Sequence, residues 1–328
     1  MKDSQSSKKN IIVTERLSMA ALQTLKLQKN LNILEVGDFA NANALLIRSK
    51  TKINQELLNQ APNLELIVTS TSGFDHIDFE LLEKTQIKVM HTPDANAISA
   101  AELTWALVLA CSRKIILANR AVKSGEWRSE ALTGWELHGK SYGIIGLGRI
   151  GSRIAKIASA FGMRVLAFDP YKDKEHFEKL GVTRLSYEEI LKKSDVLSFH
   201  VPKTRETNRM FGASQIEYVD PETIVVNTSR GSVFAEADVC KALEENKIRA
   251  LGLDVFENEP VSRNSHLLKL DQVVLSPHLG AATHEAYDRA SLEAANKIID
   301  FYSTGKLSDC LPPQENWAKR STQHQVWD

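Results

Sequence analysis

Between residues 141 and 275 the chain repeats one pattern six times: a short apolar run followed at once by a glycine or a polar residue. The runs are Tyr142-Gly143-Ile144-Ile145, Val165-Leu166-Ala167-Phe168, Val196-Leu197-Ser198-Phe199, Ile224-Val225-Val226, Ala250-Leu251-Gly252-Leu253 and Val273-Val274-Leu275. Strands this apolar have no face to offer water, so they need cover on both sides, as helices give a parallel sheet. The spacers carry helix signals. After Gly148, residues Ile150, Ile154, Ile157, Ala158 and Phe161 share one face of a 3.6-residue period, and Gly162 sits where a C-terminal cap belongs. Ser186 with Glu189 reads as a capping box opening the helix of Ile190 and Leu191. A fainter alternation precedes it, through Ile11-Ile12-Val13, Met19 to Leu27, Ala44 to Ile47 and Leu64 to Val68. The predicted fold class is α/β, and 328 residues suffice for two such domains.

In parallel sheets ligands bind outside the carboxyl ends of the strands, where loops and helix N-termini converge. The residues there are Gly146-Leu147-Gly148, Asp169, His200, Thr228-Ser229-Arg230, Asp254 and Pro277-His278. Gly146-Leu147-Gly148-Arg149-Ile150-Gly151 is a GxGxxG directly after a strand and opening a helix. In such a turn the first glycine allows the bend, the second lets a pyrophosphate approach the backbone, and the third permits close helix packing. Asp169 follows close to 20 residues later, placed to accept from the ribose hydroxyls of a dinucleotide and to repel a 2′-phosphate. NAD is the expected cofactor, although Lys172 and Lys174 nearby leave room for NADP.

Arg230, before Gly231, is expected to project from a tight turn a planar guanidinium that can clamp a carboxylate with two parallel hydrogen bonds. His278 is the side chain whose ordinary pKa suits proton exchange near neutrality. Glu259, in Asp254-Val255-Phe256-Glu257-Asn258-Glu259-Pro260, is a candidate to hold its far nitrogen. Each also has a bland reading: a surface ion pair for Arg230, a loop residue for His278 and an acidic solvated turn for Glu259.

Forty-one basic and forty-one acidic side chains cancel, so no electrostatic footprint for nucleic acid or an anionic membrane is expected. The apolar stretch Leu103 to Cys111 is too short to span a bilayer and reads as a buried helix at a domain or subunit contact. Cys111, Cys240 and Cys310 are widely spaced, which predicts neither a disulfide framework nor a zinc site. A polar N-terminal decapeptide argues against secretion, so a cytoplasmic location is expected. The tail from Pro312 shows no periodicity and yields no role.

With Gly146 to Gly151, Asp169, Arg230, Glu259 and His278 in this order, the chain resembles the NAD-dependent D-2-hydroxyacid dehydrogenases from about Leu45 to Leu311. The resemblance implies two doubly wound parallel-sheet domains, a Rossmann nucleotide domain (99–287) inserted into a flavodoxin-like substrate domain (1–98 and 288–328). It implies His278 as acid/base, Glu259 as its partner and Arg230 as the group orienting the substrate acid. The cofactor set it implies is Gly146, Gly148, Arg149, Ile150, Gly151, Asp169, His200, Val201, Pro202, Thr207, Thr228, Ser229, Asp254 and Gly280. Asp254 would hold the nicotinamide carboxamide and Pro202 line the adenine pocket. The substrate set is Arg48, Ser72 and Gly73 with Arg230 and His278, the Ser72-Gly73 loop offering backbone N–H groups to the carboxylate. The helix entered through Asn96 to Thr104 would pack on its twin in a homodimer.

Within the family, Thr92-Pro93-Asp94-Ala95-Asn96, Ser99 to Thr104, Leu137-His138-Gly139-Lys140 and Arg48 are nearest to the phosphoglycerate dehydrogenases of serine biosynthesis. Ser70 departs from that pattern, standing where some of them carry a second arginine, and no regulatory domain is expected after Leu311. Glyoxylate or hydroxypyruvate reductases and D-lactate-type dehydrogenases share every residue named, with Arg48, Ser70 and Arg128 as the discriminating set. A co-repressor-like protein that senses NAD(H) has the same fold and stands as the reading from another class.

Overall fold

A computed structural model describes residues 8–127 and 129–313. In chain order the elements begin β1 (Lys9–Val13), α1 (Met19–Lys26), β2 (Leu31–Leu34), β3 (Ala44–Ile47), α2 (Gln55–Gln60), β4 (Leu66–Thr69), α3 (Phe79–Leu82) and β5 (Lys88–His91). They continue with α4 (Ala97–Ser112), α5 (Ile115–Lys123), β6 (Ser141–Ile145), α6 (Arg149–Ala160), β7 (Arg164–Phe168), α7 (Lys174–Leu180), β8 (Thr183–Arg184), α8 (Tyr187–Lys193) and β9 (Val196–Phe199). Last come α9 (Ala213–Ile216), β10 (Ile224–Asn227), α10 (Glu236–Glu244), β11 (Ala250–Leu253), β12 (Val273–Leu275) and α11 (His284–Thr304).

The chain divides into two compact units, one holding the residues up to Asn96 and from Ala281, the other Ala97–Gly280. In the first unit all strands are parallel in the order β2-β1-β3-β4-β5, a flavodoxin-like sheet. Successive residues enter opposite cores, as the two-residue period of a strand requires. Ile11, Leu46 and Val68 join α1 and α11 on one face, whereas Ile12, Leu45 and Ile67 join Ile53, Ile77 and Leu82 on the other.

The second unit's sheet is also parallel throughout, in the order β12-β11-β10-β9-β6-β7-β8. The chain thus leaves β6 towards β7 and β8, then returns to β6's other side at β9, which makes the β7-β6-β9 region the switch point of a Rossmann sheet. All six strands read from the sequence are present, and the two-residue edge strand β8 was missed. The capping box at Ser186 and Glu189 forms, and Gly162 follows α6 at φ +74°. Helix α4 is buried within this unit's own core, where Trp105, Leu107, Val108 and Cys111 meet Ile144, Ile154, Val226 and Ala250. Among the described residues no helix is long and apolar enough to cross a membrane.

Strand register aligns the site. Ile145 pairs with both Phe168 and Phe199, and Asn227 with both Phe199 and Leu253, so Gly146, Asp169, His200, Thr228 and Asp254 leave the sheet at one level.

Candidate active site

The glycine turn begins at Gly146, whose φ of +93° lies in the left-handed region and where a Cβ would come within 2.6 Å of the His200 carbonyl oxygen. A Cβ on Gly151 would overlap the Gly146 carbonyl, so the third glycine is the one that lets α6 sit against the turn. At Gly148 a Cβ would meet nothing within 4 Å. That residue caps α6 without a side-chain hydrogen bond, leaving first-turn N–H groups and about half a positive charge facing open space. Arg149 and Ile150 form the first residues of this helix.

Asp169 is buried, with Oδ2 accepting from the Leu147 N–H at 2.9 Å and Oδ1 from the Tyr171 N–H at 2.9 Å. Each oxygen keeps a further lone pair for a ligand. Across the turn, burial pushes His200 down to about 3 and holds it neutral. Its Nε2 meets Ser198 Oγ at 2.9 Å, while the buried Nδ1 has no protein partner among the described residues. Val201 packs where a Gly146 side chain would be, and Thr207 Oγ1 donates to the Pro202 carbonyl at 2.6 Å to close the following loop. An open helix N-terminus, a carboxylate with spare acceptors and an orphaned ring nitrogen fit the phosphates and ribose of a dinucleotide.

At the other end of the same edge, Glu259 Oε2 accepts from His278 Nδ1 at 2.7 Å and Glu259 Oε1 from the Phe256 N–H at 3.0 Å. A carboxylate only accepts, so the proton lies on Nδ1 and Nε2 is the nitrogen left to exchange one. His278 is half-exposed and sits at φ +55°, outside the usual range of a side-chain-bearing residue. Asp254 holds it there. This fully buried carboxylate accepts from Ser276 Oγ at 2.6 Å, from the Leu279 N–H at 2.7 Å and from the Gly280 N–H at 2.8 Å, and its carbonyl accepts from the His278 N–H at 2.8 Å. Asp254 thus shapes the histidine loop, and its Oδ2, bonded to the Gly280 N–H, keeps a further lone pair as the Asp169 oxygens do.

Arg230 Nη1 donates to the Ser229 carbonyl at 2.7 Å. The chain does turn at Gly231, where a 3-10 turn (Gly231–Val233) begins, but the glycine is needed for close approach rather than for an unusual dihedral, because a side chain there would overlap the Phe256 carbonyl. The approach packs the arginine's loop on the loop that anchors Glu259. Asn227 shapes it from below, donating to the Arg230 carbonyl at 3.0 Å and accepting from the Ser229 N–H and hydroxyl at 2.9 and 2.8 Å. Thr228 is tied to Thr104 of α4 through their hydroxyls at 2.7 Å.

In the first unit, Arg48 lies over the Tyr287 ring at 4.8 Å and donates to Ser70 Oγ at 3.4 Å. Its loop is held by Glu15, whose Oε1 accepts from the N–H groups of Arg48, Lys50 and Thr51 at 3.1, 3.1 and 2.9 Å. The Ser72-Gly73 loop is fixed differently. Thr71 Oγ1 donates to the Gly73 carbonyl at 2.7 Å, Ser72 Oγ to the Pro93 carbonyl at 2.6 Å, and His91 Nδ1 meets the Ser72 carbonyl at 3.0 Å. Arg128 lies outside the described residues. Glu15 and Thr104 were missed as supports because nothing in their local sequence names the distant groups they meet, and Asn227 was missed although its turn onto Ser229 and Arg230 is local.

Comparison with known proteins decides the lineage. The family described as "D-isomer specific 2-hydroxyacid dehydrogenase, NAD binding domain" matches residues 105–280, more than half of the chain. The chain belongs to this 2-hydroxyacid dehydrogenase family. It is 42% identical over 257 residues to a D-3-phosphoglycerate dehydrogenase of Archaeoglobus fulgidus, covering 78% of this chain and 49% of that protein. It is 39% identical over 282 residues to a glyoxylate reductase of Aeropyrum pernix, covering 84% of each. The chain thus spans about half the length of the phosphoglycerate enzyme and most of the reductase. Among solved structures, a D-lactate dehydrogenase of Aquifex aeolicus complexed with NAD and lactic acid superposes with a TM-score of 0.79 at 29% identity, covering 90% of this chain and 96% of that one.

Proposed function

We propose that this 2-hydroxyacid dehydrogenase couples NAD(H) to the interconversion of a 2-hydroxy and a 2-oxo acid, with 3-phosphoglycerate and 3-phosphohydroxypyruvate as its pair. The observation that carries the reading is the His278–Glu259 hydrogen bond, on the same sheet edge as the glycine turn. When bound, the nicotinamide supplies or accepts the hydride at C2. His278 Nε2 takes the alcohol proton in oxidation and returns it to the carbonyl oxygen in reduction, while Glu259 stabilises the imidazolium through Nδ1. Arg230 orients the carboxylate and polarises the carbonyl. Asp254 is a positioning residue for His278 in this scheme, and Asp169, His200, Thr207, Thr228, Ser229 and the glycines receive the dinucleotide. Ser72 and Gly73 offer N–H groups to the carboxylate, and Arg48 addresses the far end of the substrate.

A second reading, a glyoxylate or hydroxypyruvate reductase, is favoured by the match to the glyoxylate reductase over 84% of each chain and by the hydroxyl of Ser70, not a second cation, beside Arg48. NADH oxidation with 3-phosphohydroxypyruvate, hydroxypyruvate, glyoxylate and pyruvate in parallel separates the two. Preference for the phosphorylated acid supports the first, preference for a small acid establishes the second, and inertness towards all four removes both. A homodimer through α4 and α5 completes the proposal, because Ile98, Ile115, Ile116 and Val122 leave an apolar face exposed there; sedimentation as a monomer would overturn it.

A further inference from the structure

Tyr171 and Glu206 lie on loops that flank the glycine turn from opposite sides. Strands β7 and β9 are the two neighbours of β6, and the loop after β7 carries Asp169 and Tyr171 while the loop after β9 carries Pro202 to Thr207. The Tyr171 hydroxyl donates to Glu206 Oε2, and the backbone N–H of the same tyrosine donates to Asp169 Oδ1 at 2.9 Å. One residue therefore links two carboxylates across the mouth of the turn.

The second carboxylate is held in place. Thr207 Oγ1 closes its loop onto the Pro202 carbonyl at 2.6 Å and accepts from the Thr204 N–H at 2.9 Å. Glu206 is also the sole acid between Pro202 and Thr207, alongside Lys203 and Arg205. Without it that loop would carry two cations and no acid, a composition that suits a phosphate. The tyrosine hydrogen bond ties the glutamate to the loop that carries Asp169.

We propose that Glu206, oriented by Tyr171, acts with Asp169 as a second specificity-determining carboxylate, selecting a dinucleotide with a free ribose 2′-hydroxyl over one bearing a 2′-phosphate. The proposal rests on the dinucleotide reading above and deepens it. Asp169 is placed to bond the ribose and to repel a phosphate at short range, whereas Glu206 adds charge repulsion from the far side and offsets Lys172, Lys203 and Arg205 on the two loops.

The test is the dissociation constant of the full chain for NADH and for NADPH, read by tryptophan fluorescence, in wild type, Glu206→Gln and Tyr171→Phe. Glu206→Gln keeps an acceptor for the tyrosine and removes only charge. It should tighten NADPH binding by about five- to tenfold at low salt, leave NADH within about twofold, and lose that gain near 0.5 M salt, where charges are screened within about 4 Å. Tyr171→Phe should shift the ratio the same way by less. An unchanged NADPH-to-NADH ratio in Glu206→Gln, or equal weakening of both nucleotides, overturns the role of Glu206 and leaves the dinucleotide reading standing. A wild-type chain that binds neither nucleotide overturns that reading and this proposal together.

Discussion

Two loops at the carboxyl ends of strands are held by different chemistry. The histidine loop of the second unit hangs on Asp254, a buried carboxylate with three donors, whereas the Ser72-Gly73 loop of the first unit is fixed by hydroxyls and an imidazole. Hydrogen bonds to an ionised acceptor are roughly twice as strong as neutral ones. The loop assigned to proton transfer is thus clamped, and the loop assigned to substrate recognition is held more softly. The division matches what each task needs, since misplacing a reacting group by about 1 Å can cost 10²-fold in rate while a binding loop gains from adjustment. The Arg48 loop shares features of each, being held by a carboxylate, the half-buried Glu15.

Four measurements bear on that contrast. The largest effect belongs to the clamped loop's own side chain: His278→Ala should lower turnover by about 10²–10⁴-fold with dinucleotide affinity retained, and near-normal turnover would remove His278 from the mechanism. Asp254→Asn comes next, because its amide must point N–H towards another donor. It should cost about 2–3 kcal/mol in urea unfolding and lower turnover about 10²-fold; a silent variant would show that the clamp is dispensable.

The third is an acid profile. His200 takes up its proton near pH 6.5 when unfolded but near 3 when folded, so between those values the unfolded chain binds the extra proton. Stability should therefore be fully present above 6.5 and fall with pH through that window, by up to about 1.4 kcal/mol per unit. His200→Gln should flatten the slope, and parallel profiles would break the assignment. The smallest effects belong to the first unit. Glu15→Gln should raise KM several-fold at unchanged kcat and cost about 1 kcal/mol, and Thr71→Val should cost less than that. Equal losses in the two would erase the distinction between carboxylate and hydroxyl support.

The clamp also explains what the sequence disclosed. Strands buried on both faces write themselves as apolar runs, and the residues that end them, from Gly146 to His278, were readable one by one. The four-residue strands β2 (Leu31-Asn32-Ile33-Leu34) and β5 (Lys88-Val89-Met90-His91), each broken by polar residues, were missed, as was the two-residue β8. Supporting groups were illegible for another reason. Glu15 and Thr104 act on residues far from them in the chain, and the part Asp254 plays in holding the histidine loop was illegible because its three protein donors lie more than 20 positions downstream. The Asn227 side chain, by contrast, reaches Ser229 and Arg230, a local turn that the sequence could have shown. Gly231 was read for its turn, when the backbone it approaches is that of Phe256.

Helix α11 has a consequence for how the chain is made. Its Ala294, Ala295 and Ile298 complete the core that Ile11, Ala21 and Leu25 begin, whereas the second unit is continuous from Ala97 to Gly280. At bacterial or eukaryotic elongation rates the ribosome needs on the order of tens of seconds to add the intervening stretch. Throughout that interval the nascent first unit displays an apolar sheet face that α1 alone covers in part, while the second unit can close on itself. The unit that begins earlier in the chain is then the later of the two to be sealed.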